Sequence, residues 1–262
     1  MPNQHLSEWL ESPQGRYLLD WEQTRFDIAV ADIFGYNAMQ IGLPEHNFLR
    51  NSRMSWRFTC AVRGRAALLA EPYALPIASA SLDLVLLPHV LEFSPHPHQL
   101  LREVERVLVA EGTVLITGFN PFSLWGLRRM VASRRSGYPW KGHYFSVMRI
   151  RDWLTLLGFE TQDSRFGCFR PAVSSAKWIE RWRFMDHAGV RWWPVCGGVY
   201  MLQGIKRVQG MRLITPNWRD LKAVDKRLAP VVRRGRRVAG GVHRNGENGE
   251  SGENGNFRPG VR

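Results

Sequence analysis

Two polar residues, His89 and Glu92, follow the apolar run at 81–87 (SLDLVLL) and stand three positions apart. The ordinary pKa of histidine lies near neutrality, so His89 either accepts a proton from a substrate or sits hydrogen-bonded in a crevice. A second polar group, Asn120, follows the apolar run 113–117 within Gly118-Phe119-Asn120-Pro121. It either orients a substrate or starts an Asx turn ahead of the proline. A third cluster is Trp140-Lys141-Gly142-His143-Tyr144-Phe145-Ser146, where Tyr144 and His143 could position a substrate. His96 and His98, each beside a proline, have no third ligand near them and read as turn residues, so no metal site is expected. Neither a glycine-rich phosphate loop nor GxSxG nor HExxH occurs, which leaves phosphoryl transfer, serine hydrolysis and zinc proteolysis without support.

These residues need elements to hold them. Residues 1–35 have helical spacing of Tyr17, Leu18, Trp21, Phe26, Ile28 and Val30, with Ser12-Pro13 as a helix start. Buried strands are expected at 38–43, 54–60, 66–70 and 81–87. Residues 98–110 put Leu100, Leu101, Val104, Val107 and Leu108 on one helical face, and Glu111-Gly112 ends that helix before the strand at 113–117. Strand, helix, glycine turn and strand make a right-handed βαβ unit. A helix at 149–157, a strand at 159–165 and a strand at 199–206 follow. Between the last two strands lies a tryptophan-rich insertion, 167–196, whose Trp178, Trp182, Trp192 and Trp193 are core residues or wall an apolar pocket. The segment SLWGLRR around Trp125 reads as an amphipathic helix or as a basic clamp. The whole predicts a doubly wound, mostly parallel α/β sheet over 12–215.

Residues 71–121, EPYALPIASASLDLVLLPHVLEF…LLREVERVLVAEGTVLITGFNP, resemble the methyltransferase type 11 family of class I S-adenosylmethionine-dependent methyltransferases. The resemblance lies in Leu75-Pro76 before a small-residue loop and Leu82-Asp83-Leu84-Val85, in the helix LLREVERVL, and in Glu111-Gly112 before an apolar strand. It extends more loosely over 12–206. It implies a seven-stranded Rossmann-like sheet, S-adenosylmethionine as cofactor, and a small-molecule or macromolecular methyl acceptor. Asp83 is expected beside the ligand crevice.

The resemblance places the cofactor at the carboxyl ends of the first four strands, on Gln40, Gly42, Glu45, Glu71, Pro88 and His89. The sequence departs from the family pattern there. Gln40 stands where an acid is usual, and Pro44 and His46 stand where glycines are usual. The stretch between Glu45 and Glu71 holds no acid to take the ribose hydroxyls, and Pro72 follows Glu71. Methyl transfer is an in-line displacement that depends chiefly on alignment, with a general base needed only for acidic or protonated acceptors. His89, Asn120 and Tyr144 are the catalytic candidates. The rival reading is a catalytically silent fold used for binding or scaffolding.

Composition narrows the setting. The chain has 262 residues, a net charge of +13 and a pI near 10.5. Three widely spaced cysteines, Cys60, Cys168 and Cys196, form neither a disulfide framework nor a zinc motif. The absence of a signal peptide pattern and of an 18-residue apolar run leads to a cytoplasmic expectation. Residues 219–237 carry eight Lys or Arg against two Asp, and NGENGESGENGN follows further on. Residues 219–262 are therefore expected to be a disordered basic tail that attracts nucleic acid or an anionic surface without specificity. A nucleic-acid-modifying methyltransferase guided by this tail is a further alternative.

Overall fold

The first two helices of the computed structural model form where the sequence starts and stops them. The structure describes residues 2–131, 137–162, 164–173 and 175–208. α1 (Pro2–Leu10) leads to Ser12, whose Oγ accepts the Gly15 N–H at 3.1 Å and caps α2 (Pro13–Ala31). Proline at the first helical position lacks only a donor that would be idle there. Leu18, Glu22, Phe26 and Val30 recur every four residues, so they share one buried stripe of α2. Burying each apolar member of that stripe contributes about 2 kcal/mol. α1 lies ahead of the expected domain start at residue 12, yet its Leu6 and Leu10 are fully within the core. One compact unit spans Met1–Gly210; the second, Met211–Arg262, with the expected basic tail at 219–262, lies outside the described residues.

The sheet has eight strands in the order β3-β2-β1-β4-β5-β8-β6, with β7 also on β8. They are β1 (Asn37–Ile41), β2 (Trp56–Ala61), β3 (Leu68–Leu69), β4 (Leu82–Pro88), β5 (Leu108–Phe119), β6 (Phe159–Thr161), β7 (Arg165–Gly167) and β8 (Val199–Lys206). β1 to β5 pair in parallel, and β8 runs antiparallel to β5. The one strand expected at 159–165 is two short pieces along the same edge of β8, opposite 204–206 and 199–201. The Gln162 N–H bridges to the Gln203 carbonyl at 2.9 Å between them.

Side chains alternate across the strands. Met39, Ile41, Val85, Leu87, Val114 and Ile116 face α3 (Pro97–Val107) and α5 (Val147–Leu156). Ala38, Leu84, Leu86 and Leu115 face α1, α2 and the loop after β1. That loop, residues 42–55, is made of turns rather than a helix, and it buries Leu43, Phe48, Leu49 and Met54.

Two expectations about this unit need correcting. Asp83 stands at the amino end of β4, the end away from the crevice, where Oδ2 accepts the Tyr36 and Asn37 N–H groups at 2.8 and 2.9 Å. It anchors the start of β1. The Glu111-Gly112 turn falls inside β5: Leu82 pairs with Leu108 but Leu84 with Thr113, so the extra residues bulge out, with Glu111 at φ +62°. Glu103 and Arg106 pair at 2.9 Å as their spacing allows, and together they also hold the main chain of Leu75 and Ile77.

Candidate active site

The crevice follows from topology. From β1 the sheet grows one way through β2 and β3 and the other way through β4 and β5, so the loops leaving β1 and β4 diverge. Ligands of open α/β sheets bind at such a switch point, outside the carboxyl ends of the strands. Gly42 and Val90 meet there. Gly42 has φ +83°, and a Cβ on it would lie 3.0 Å from Val90 Cγ2, so glycine serves both the turn and the close approach.

A buried triad lies under this crevice. His89 follows β4 in the left-handed region at φ +52° and is 1% exposed. Its Nε2 lies 2.9 Å from Glu22 Oε1 on α2, and its Nδ1 lies 3.3 Å from Glu92. The ring rests on Phe119 with centroids 4.2 Å apart. Burial opposes a charge on His89, but Glu22 and then Glu92 outweigh it and push its pKa up to about 10. His89 is thus an imidazolium at neutral pH, fully enclosed. It is neither the free proton acceptor nor the cofactor contact that its position after β4 suggested.

Glu92, in the 3-10 turn Leu91–Phe93, ties three segments together. It pairs with His89, its Oε1 accepts the Phe119 N–H at the end of β5, and its carbonyl accepts the His143 N–H at 2.9 Å. Gly118 leaves room for this, since a Cβ there would stand 2.6 Å from the Tyr200 hydroxyl and 3.1 Å from Glu92 Oε1.

Tyr144 closes the cluster. Its ring stacks on Phe119 at 5.0 Å, and the Arg129 guanidinium lies 5.0 Å from its ring centre. Its hydroxyl is buried with no hydrogen-bond partner among the described residues. Burial, then the nearby Glu92, raises its pKa well above the ordinary tyrosine value. Asn120 is committed elsewhere: its amide donates to Val195 and Gly197 carbonyls at 2.8 and 2.9 Å, and its oxygen accepts the Phe122 N–H. It braces the loop after β5 against the start of β8.

The cofactor candidates divide in the same way. Gln40 is buried, and its Nε2 donates to the carbonyls of Gly42, Leu43 and His46 at 3.1, 3.0 and 2.8 Å, while its oxygen accepts the Phe48 N–H. It holds the loop instead of facing a ligand. The Gly42 N–H is engaged by Cys60 O at 2.8 Å, and Pro88 is buried in the β4–β5 ladder. Glu45 and Glu71 are exposed beyond β1 and β3, with Ser7 Oγ donating to Glu45 at 3.1 Å. The loop after β2 carries exposed Arg63 and Arg65 where an acid is missing.

Glu22 gave a signal that sequence reasoning missed: a carboxylate on an otherwise apolar helical stripe requires a buried partner. Among the described residues no group of three or more His, Cys, Asp and Glu could hold a metal, and no helix is long and apolar enough to cross a membrane.

Comparison with known proteins decides the family. The methyltransferase-domain family matches residues 52–116. The Escherichia coli protein YafS is 34% identical over 161 residues, 60% of this chain and 67% of that protein. The chain belongs to the class I S-adenosylmethionine-dependent methyltransferases. The fold also superposes on a chain from a Haloferax volcanii complex of the Trm112 methyltransferase activator, at TM-score 0.56 and 13% identity over 80% of this chain and 99% of that one. A methyltransferase of Thermotoga maritima gives TM-score 0.52 and 17% identity over 73% and 97%. Family membership implies S-adenosylmethionine binding. The adenosyl part of that cofactor has hydroxyl and amine donors that carboxylates such as Glu45 and Glu71 could accept, whereas the loop after β1 is closed by Gln40.

Proposed function

We propose that this chain is a methyltransferase that draws a methyl group from S-adenosylmethionine and passes it to an acceptor at the carboxyl ends of β4 and β5. The observation that carries this is the Tyr144 hydroxyl, buried and unpartnered beside Glu92. A buried hydroxyl without a partner costs about 1–3 kcal/mol, which a ligand atom would recover.

Glu71 and Glu45 are the residues to hold the adenosyl donors. The cofactor supplies an electrophilic methyl on a sulfonium. Tyr144 orients the acceptor by hydrogen bond, and Phe119 and Trp125 form the apolar wall behind it. His89 keeps its proton at neutral pH and Tyr144 keeps its own. Neither removes a proton from the acceptor, so the reading favours an acceptor atom that is nucleophilic without a base from this cluster.

The closed loop around Gln40 favours a second reading, a silent methyltransferase fold that binds a partner without turnover. Titration calorimetry with S-adenosylmethionine and S-adenosylhomocysteine separates the two. Saturable binding that weakens at least tenfold in Glu71→Ala supports the enzyme. A folded protein that binds neither compound sinks it and leaves the silent module.

A further inference from the structure

An apolar groove of about 430 Å³ lies beyond the carboxyl end of β5, between α4 (Leu124–Val131) and α7 (Phe184–Trp192). Phe122, Leu127, Met130, Met185 and Trp193 line it, with Ser123 the one hydroxyl. The surface around it is unusually apolar for a soluble domain: Met130 is 79% exposed, Trp192 75%, Phe122 73% and Leu127 57%. Leu124, Leu127 and Val131 share one face of α4 by helical spacing, and the exposed Arg128 adjoins them. On α7, Met185, Gly189 and Trp192 share the face turned to the groove by helical spacing, and the exposed Arg191 lies on the far side. The only acid on these two helices, Asp186, is tied to Arg170 at 2.8 Å and to the Tyr17 hydroxyl.

We infer that this face docks on an anionic lipid bilayer, with α4 and α7 lying in the interface. The side-chain set is the one that interface selects: tryptophans at headgroup depth, aliphatic and aromatic tips below them, and Arg128 at the rim to meet lipid phosphate. A second copy of the chain is a poorer occupant, because a two-fold contact would bury Arg128 of both copies with no uncommitted acid on either helix to pair with it. Single-stranded nucleic acid could stack on Phe122, Trp192 and Trp193, but it would leave the exposed aliphatic tips of Leu124, Leu127, Met130 and Val131 uncovered, which a bilayer takes up. This inference stands apart from the methyl-transfer reading, since no residue of the crevice takes part.

Co-sedimentation of the full chain with phosphatidylcholine vesicles, with and without one third phosphatidylglycerol, tests it. Wild type is expected to bind the anionic vesicles and not the neutral ones, and Leu127→Ser with Met130→Ser to lower that affinity at least tenfold. Both positions are exposed, so an unchanged thermal melt shows that the loss is not unfolding. Reversing Arg233, Arg234, Arg236 and Arg237 to Glu separates the basic tail: binding that remains, and is still lost in the serine pair, supports the face on α4 and α7. Wild-type affinity in the serine pair, or equal binding to neutral vesicles, overturns it. So does a wild-type dimer that the serine pair converts to monomer in sedimentation velocity, or an RNA oligonucleotide whose binding the same pair abolishes.

Discussion

Glu22 Oε1 and His89 Nε2 stand 2.9 Å apart with both side chains fully buried, joining the middle of α2 to the exit of β4 beneath the crevice. Neither group could be buried alone without a large desolvation cost. Phe119 packs on the same imidazole, and Glu92 reaches it from the other side, so the triad couples the N-terminal helices to both strand ends that frame the site.

Removing one charge of this triad should therefore be costly. Glu22→Gln keeps the shape and takes away the nearer carboxylate. A loss of about 3 kcal/mol in urea unfolding is expected, as for other broken buried pairs. A loss below a few tenths would mean that Glu92 alone sustains the charge on His89.

The pH dependence has a defined sign. The folded pKa of His89 is raised from 6.5 to about 10, so the folded protein holds this proton more tightly than the unfolded chain. The stabilisation is complete below about pH 6.5 and is lost as pH rises through about 10. Urea midpoints measured across that window should fall for wild type, and the fall should be much shallower in His89→Gln. Parallel curves would refute the assignment.

Gln40 provides the most direct test of the loop after β1. Gln40→Ala removes its bonds to three carbonyls and one N–H, and roughly 2–3 kcal/mol should be lost. Gln40→Glu, which restores the acid usual in the family, aims a carboxylate oxygen at those carbonyls. It should be at least as destabilised at pH 7 and recover partly on acidification, as the new carboxyl gains a proton to donate. A Gln40→Glu protein as stable as wild type at pH 7 would show that the loop rearranges around an acid.

Tyr144→Phe separates function from stability. The hydroxyl has no partner to lose among the described residues, so the melt should shift by less than about 1 kcal/mol, or rise. Binding of an acceptor, or turnover once an acceptor is found, should fall at least tenfold. Unchanged turnover would remove Tyr144 from the site.

The sequence by itself determined the family and the order of the elements. The run from Leu75-Pro76 through Asp83 and LLREVERVL to Thr117 carries hydrophobic periods that only a strand, a helix and a parallel strand can bury together. Ser12-Pro13 and the stripe Leu18–Phe26–Val30 announced α2 in the same local way. Local pattern says little about what a polar side chain meets across the fold, and the site depends on that. His89 read as a crevice base because its sequence neighbours are the end of β4; the carboxylate that keeps it charged comes from α2, which topology brings beneath it. Asn120 and Gln40 looked free to bind ligands, yet tertiary contacts with Val195 and Gly197, and the inward turn of residues 42–48, take up both amide groups. Tyr144 stood out with His143 in the segment 140–146, but nothing in that segment told the two apart. Packing against Phe119, visible only in the fold, excludes water from the Tyr144 hydroxyl without providing a partner.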